Sequence, residues 1–431
     1  MGAAMRRIQA GNALSAFGLG FTVPYLYLYV ATVRGLGSFW AGIVLGVFAL
    51  AALVALLFTG RVIDRRGPLP VLVGAAVTAA VGALCLGLAN SLVTVLGSAA
   101  LLGAGTAVMQ PALATMIVWS SGPTSRTRAF ALQFFLQNLG LGIGGLFGGQ
   151  IVDESRPASF TLLFAIEAGM FLVLAAIALS VKLPRNAAIA DARPQGGRSG
   201  GGLKAVLGHR AMLQLCALGF VLFFACYGQF ESGLAAYGTE AAGIDPSALG
   251  LALAANTAVI VVAQFLVLRF VERRRRSRVI AAVGLIWTVA WLFAGYAGLG
   301  HGSQTMATAA FVSTYALFGL GEAMLSPTVA PLVADLAPEA MVGQYNSAFA
   351  LVKQMALALG PFVGGPMGAT LHGPYIVTFI LFSLGITILA LRLGRRLTPA
   401  QDQPALAAAV RCAILGPGDH ANKSPTGSAT V

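Results

Sequence analysis

The strongest constraint on this chain is a stretch of apolar residues long enough to cross a bilayer, repeated along almost its whole length. A helix spanning the hydrocarbon core needs about 20 such residues. The sequence supplies them at about 8–32, 39–60, 69–89, 91–119, 127–152 and 159–181, and again at about 211–237, 247–271, 278–299, 303–333, 342–369 and 373–394. Lipid offers no partner to a backbone N–H or C=O, so runs of this length can only be helices. Of 431 residues 58% are hydrophobic and 10% charged, whereas a soluble domain carries about 25% charge.

The charges test this reading independently, because Lys and Arg gather in cytoplasmic loops. Of the 27 basic residues, all but Arg34, Arg156 and Lys353 fall in alternate breaks or at the two ends. Both termini are therefore expected in the cytoplasm, in a multi-pass protein of a bacterial inner membrane. The net charge of +13 has a topological origin, and no nucleic-acid partner is expected. Arg6 and Arg7 precede an apolar run that continues to about Ala31, which suits a first span better than a cleaved signal. Cys85, Cys216, Cys226 and Cys412 are widely spaced, with no metal-binding or disulfide pattern. No phosphate-binding G-x-x-x-x-G-K-[ST] loop occurs. The chain is expected to be no enzyme, with no catalytic residues, metal or bound cofactor.

Residues 182–210 include PRNAAIADARPQGGRSGGG, a polar, Gly-rich and basic cytoplasmic linker. It separates a first unit, 1–181, from a second, 211–395; a tail at 396–431, rich in Ala, Pro and Ser, is expected to be disordered. Sliding the chain against itself by 216 residues aligns Gly103-Ala-Gly105 with Gly319-Leu-Gly321, Pro111 with Pro327, Gly144 with Gly360, and Gly148-Gly149 with Gly364-Gly365. The matches fall on residues that fix backbone approach and kinks, as expected for two homologous halves. The expected fold class is an all-α membrane protein with twelve transmembrane helices in two pseudo-symmetric six-helix bundles.

The break after the second run reads GRVIDRRG, from Gly60 to Gly67. This resembles the signature G-x-x-x-D-R/K-x-G-R/K-R/K of the major facilitator superfamily. Gly60, Asp64, Arg65 and Gly67 match, while Pro68 and Leu69 replace the trailing basic pair. The resemblance implies the major facilitator fold, two bundles rocking about a midplane site that opens alternately to either face. In it these four residues form a gating motif: Gly60 permits a close helix crossing, and Asp64 pairs with loop arginines or a helix N-terminus. The corresponding second-half loop, ERRRRSR from Glu272, has lost both glycines and reads as a topology anchor. In the fifth run, Gly140, Gly144, Gly148 and Gly149 resemble the glycine motif of the drug:proton antiporter branch, with Gly145 where that motif has Pro. The eleventh run carries the fuller ending, Gly360, Pro361, Gly364 and Gly365. Many proton-driven members carry an Arg four residues before the first Gly of a G-x-G in the fourth helix; here that Gly is Gly103 and Ala99 stands in place of the Arg, which shifts coupling to carboxylates elsewhere.

Ionisable residues inside spans are costly and usually face a cavity. That singles out Glu231, Glu322 and Glu167 as proton-coupling candidates, since a carboxylate in a span can bind and release a proton as water access alternates. Amides, tyrosines and one lysine are the candidates for lining a substrate cavity: Asn12, Tyr25, Gln133, Gln137, Asn138, Gln229, Asn256, Asn346, Lys353 and Gln354. Gln133 and Gln137 share a face at i, i+4 spacing. The competing role for such groups is hydrogen bonding between helices. The functional expectation is a secondary active transporter exporting drug-like or metabolite molecules against a proton gradient, with the lipid bilayer and a small-molecule substrate as its partners and a monomer as its working unit. The alternatives are proton-coupled or passive uptake of a polar nutrient, and a non-transporting membrane receptor.

Overall fold

The computed structural model describes residues 2–22, 25–122, 124–153, 155–181, 202–230, 232–299 and 302–406. Glu231, Pro24, residues 182–201 of the expected linker and the tail beyond 406 lie outside them. Among the described residues, eleven helical segments are long and apolar enough to cross a membrane. In the first half these are Ala3–Thr22 (α1), continued by Leu26–Leu28 and a π-turn at Tyr29–Val33, then Gly37–Arg66 (α2), Pro68–Leu88 (α3), Leu92–Trp119 (α4), Arg126–Ile151 (α5) and Pro157–Leu179 (α6). In the second half the shorter Arg210–Ala225 (α7) precedes Pro246–Val271 (α8), Arg276–Leu299 (α9), Gln304–Leu336 (α10), Val342–Thr370 (α11) and His372–Gly394 (α12).

Local chemistry sets the ends of these helices. Gly67, at φ +86°, takes a backbone conformation open to glycine, and Pro68 follows as the first residue of α3, so α2 and α3 meet in a tight turn. Ser91 caps α4: its hydroxyl accepts from the Thr94 N–H at 3.3 Å while the Thr94 hydroxyl accepts from the Ser91 N–H at 3.1 Å. Asp245 caps α8 through the Ala248 N–H at 2.9 Å. Large apolar side chains such as Phe58, Leu146, Val262 and Phe362 stand exposed on the outer faces, where lipid rather than water is their solvent.

The helices pack as two bundles with separate buried clusters. Tyr29, Phe160, Phe164 and Phe171 anchor the first, and Trp287, Trp291, Phe318, Tyr375 and Phe379 the second. The repeated glycines do equivalent work in each. A Cβ at Gly103 would lie 3.0 Å from Phe48 Cα of α2, and one at Gly319 would lie 2.6 Å from the Asn256 carbonyl oxygen of α8. Similarly Gly144 lets α5 cross α1 at Gly20, and Gly360 lets α11 cross the chain at Gly228 just beyond α7. The 216-residue displacement therefore describes one packing pattern used twice.

Three expectations change. The seventh run is not one helix over 211–237: α7 stops at Ala225, Cys226–Phe230 form turns, and a second helix covers Gly233–Glu240. The expected linker is shorter than 182–210, because Gly202–Gly208 is helical, Val206 is buried, and His209 Nδ1 lies 2.9 Å from the Tyr345 hydroxyl. The tail is ordered over its described part, 396–406. Thr398 caps the short helix Pro399–Asp402, and the buried Asp402 carboxylate accepts from the Ser277 N–H at 2.8 Å and from its hydroxyl at 3.0 Å. A capping box and a carboxylate with two donors outweigh the polar composition that suggested disorder.

Candidate functional site

The two bundles are fastened to each other at the end that carries the basic loops. The Asp64 carboxylate, at the end of α2, accepts from the Gly343 N–H at 2.7 Å and the Gln344 N–H at 3.1 Å. These donors belong to the first turn of α11 and have no partner within their own helix. Gly60, one turn earlier, allows the approach: a Cβ there would lie 2.6 Å from Gln344 Cα. Arg65 is exposed. A second fastening joins α5 to the other bundle. Arg126 pairs with Asp335 of α10, and Arg128 makes a two-pronged bond with Glu272 at 2.6 and 3.0 Å. Asp335 also holds the buried Arg276 of α9 at 2.7 Å. The loop beginning at Glu272, expected only to anchor topology, thus also supplies part of the closure.

Beyond this closed end lies a cavity of about 480 Å³ between the bundles. Five of the amide and lysine candidates line it: Gln133 and Gln137 from α5, and Asn346, Lys353 and Gln354 from α11. Its apolar wall comes from Phe48 of α2, Phe130 and Phe134 of α5, Phe223 of α7 and Phe349 of α11. Lys353 Nζ sits 5.1 Å from the centre of the Phe223 ring, within range of a cation–π attraction. Among the described residues lining the cavity, Lys353 is the one that carries a charge.

Glu322 of α10 lies behind this wall, 3% exposed. The Asn256 amide donates to it at 2.9 Å, and the Tyr227 hydroxyl and the charge of Lys353 both act on it. Tyr227 lines the cavity, so a residue of the wall is also a neighbour of the hidden carboxylate. Glu167, buried in α6 where it meets Gly18 of α1, does not line the cavity.

The family follows from comparison with known proteins. The model described as Major Facilitator Superfamily matches residues 10–361 and 236–415. The chain belongs to the Major Facilitator Superfamily. It is a transporter rather than an enzyme. It is similar to the multidrug resistance protein MdtH of Aeromonas hydrophila subsp. hydrophila, with 26% identity over 86% of this chain and 91% of that protein. It also resembles the uncharacterized MFS-type transporter YdeE of Escherichia coli, 25% identical over 93% of this chain and 97% of that one. The solved structure of the Escherichia coli fucose:proton symporter FucP shares the fold, with TM-score 0.74 and 15% identity across 91% of this chain and 97% of that chain.

In this superfamily member the other cavity candidates turn out to be ties within and between helices. Asn12 donates to the Gln133 carbonyl at 3.3 Å, Tyr25 to the Gly145 carbonyl at 3.0 Å, and Asn138 to Phe134 of its own helix at 2.9 Å. Asn256 holds Glu322 and the Tyr315 carbonyl. Gln229 repairs the break after α7: its amide donates to the Phe224 carbonyl at 3.0 Å, and its oxygen accepts from the Tyr375 hydroxyl at 3.1 Å. Gly140 and Gly148 pack against α1 and its continuation, Gly364 against Gln229 in the turn after α7, and Gly149 meets the Tyr25 hydroxyl, whereas Pro361 is exposed and a Cβ at Gly365 would meet open space.

Sequence reasoning missed Gln110, Thr106 and Ser326, which also line the cavity. The signal was available in the repeat. Displacement by 216 residues pairs Gln110 with Ser326, Phe130 with Asn346, Gln133 with Phe349 and Gln137 with Lys353, and all eight line the cavity. The same displacement pairs Thr106 with Glu322.

Proposed function

We propose that this transporter moves amphipathic small molecules through the central cavity by alternating access, with Glu322 as the carboxylate that links transport to a proton gradient. The observation that carries this is the placement of Glu322: buried, bonded by Asn256, and a neighbour of Tyr227 in the cavity wall. Aromatic rings and amides together suit a substrate with an apolar body and a few polar groups. The fastening at the basic-loop end is the contact that breaks as the bundles rock. That end, with both termini, faces the cytoplasm of a bacterial inner membrane. One chain encloses the whole cavity, so a monomer suffices. Export is the direction supported by the glycine-rich crossings of α5 and α11 and by the multidrug-resistance name of the MdtH relative.

A second reading, proton and substrate entering together, is favoured by Lys353. An anion seated on that ammonium takes away the counter-charge of Glu322, and a proton on Glu322 restores neutrality.

Proteoliposomes test both readings with fluorescent amphipathic compounds of each charge and an imposed pH gradient of either sign, comparing wild type, Glu322→Gln and Glu231→Gln. Accumulation driven by the gradient in wild type and lost in Glu322→Gln, with substrate exchange at equal pH retained, is the expected result. The sign of the effective gradient separates export from uptake. Gradient-driven accumulation that persists in Glu322→Gln would remove Glu322 from the mechanism.

A further inference from the structure

The two halves of the cavity differ in charge at positions that are otherwise equivalent. Gln137 and Lys353 are twins under the repeat, and both line the lumen from corresponding helices. Thr106 and Glu322 are twins on α4 and α10. The first bundle builds its share of the wall with a neutral amide and a hydroxyl, so the architecture has no need of a lysine or a glutamate at these positions. A lysine inside a membrane protein is costly to maintain, and its uncharged twin acts as an internal control against a purely structural role.

The two charges are also presented differently. Glu322 is withheld from the lumen: it is buried, is not among the residues that line the cavity, and accepts from the Asn256 amide. Among the described residues Lys353 has no ion pair within 4 Å, and it stands in the cavity wall beside Phe223 and near Phe349. A cation entering this space meets an ammonium before it meets the carboxylate. A carboxylate or sulfonate meets an ammonium that no described carboxylate pairs within 4 Å, with aromatic rings on hand for the rest of the molecule.

We infer that the cavity selects amphipathic organic anions, an aromatic or apolar body bearing one carboxylate or sulfonate, and that Lys353 is the residue that recognises the anionic group. The inference rests on the reading of this cavity as the substrate site, and it favours entry of proton and substrate together over their exchange.

The test is calorimetric titration of purified wild-type, Lys353→Gln and Lys353→Arg protein with matched probes differing only in charge: naphthalene-2-sulfonate, naphthalene-2-sulfonamide and naphthyl-trimethylammonium, alongside a biphenyl set built the same way. Gln is the residue at the twin position, so Lys353→Gln is expected to fold. Wild type is expected to bind the sulfonates on the order of tenfold more tightly than the sulfonamides, the worth of one charge-assisted bond. That preference falls to parity in Lys353→Gln and survives in Lys353→Arg. A wild-type preference for the sulfonamide or the ammonium, or a sulfonate preference unchanged in Lys353→Gln, overturns the inference and leaves the transport reading intact. Folded protein that binds neither set overturns the reading of the cavity as the substrate site.

Discussion

Replacing Asp64 with Asn tests whether the α2–α11 contact holds the basic-loop end closed. The carboxylate bonds two N–H groups at 2.7 and 3.1 Å, and both lie at the positive end of the α11 dipole. Asn keeps the shape and one acceptor oxygen, gives up the charge, and turns its NH₂ toward one of the two donors. A hydrogen bond to a charged group is worth about 1.5–3 kcal/mol net and a charge at a helix end about 0.3–1 kcal/mol. With one weakened bond retained, the loss is about 2–3 kcal/mol, which moves the ratio of closed to open molecules roughly 30- to 150-fold toward open. Spin labels at the exposed residues Thr124 and Ala340, in loops of opposite bundles at this end, report the change by double electron–electron resonance in a background without native cysteines. Asp64→Asn is expected to add a longer-distance population, while Arg65→Gln, at an exposed position, leaves the distribution as in wild type. An unchanged distribution in folded Asp64→Asn protein would refute the assignment of Asp64 as a latch.

Two other substitutions bear on the same framework. Asp335 serves Arg126 of the first bundle and the buried Arg276 of the second, so Asp335→Asn leaves a buried guanidinium with the Gln401 carbonyl at 3.0 Å but without its counter-charge. The expected cost is about 3–5 kcal/mol, read as a marked fall in melting temperature, and a variant melting with wild type would show that this pairing contributes little. Gly144→Val sets a side chain against Gly20 Cα, 3.1 Å from a Cβ at that position, whereas a Cβ at Gly145 has the Gly20 carbonyl oxygen 3.7 Å away as its nearest neighbour. Gly144→Val is expected to lose about 1–3 kcal/mol or to fail to fold, and Gly145→Ala to stay within about 0.5 kcal/mol of wild type; equal melting curves would contradict the crossing described for α1 and α5.

The parts of the fold legible in the sequence are those set by period and length. Run length fixed the spans, and glycine and proline spacing revealed the repeat, because both depend on a helix meeting lipid or a near neighbour. The break after α7 was not legible. The run from 211 to 237 is long enough for one span even with Gln229, Glu231 and Ser232 inside it, and the interruption depends on tertiary partners: Gly228 against Gly360, and Gln229 reaching both the Phe224 carbonyl and Tyr375. The cavity amides show the same limit at finer scale. Gln133 and Gln137 share a face and both line the lumen. Asn138, one residue further, points about 100° around the helix and bonds the Phe134 carbonyl instead. An amide in a span must find a partner, and whether that partner is substrate, a neighbouring helix or its own backbone depends on what stands opposite.

The repeat narrows that ambiguity in a way that single positions cannot. A residue kept for packing should have a twin that packs the same way, and Gly144 and Gly360, crossing α1 and the chain beyond α7, behave so. A residue kept for what enters the cavity is free to differ from its twin, because the substrate need not share the symmetry of the protein. Gln133 faces the lumen where its twin is Phe349, and Gln137 where its twin is Lys353. The wall is therefore two-fold in shape and one-sided in charge: Phe48, Phe130 and Phe134 of the first bundle face Phe223, Tyr227 and Phe349 of the second, while among the described lining residues the charge of Lys353 stands on the second. An amphiphile lying across such a cavity would meet rings and amides on both sides, and its anionic group would meet Lys353 of α11. If the bundles rock as proposed, a molecule held by Lys353 moves with the second bundle, and substrate, Lys353 and Glu322 then belong to a single moving body.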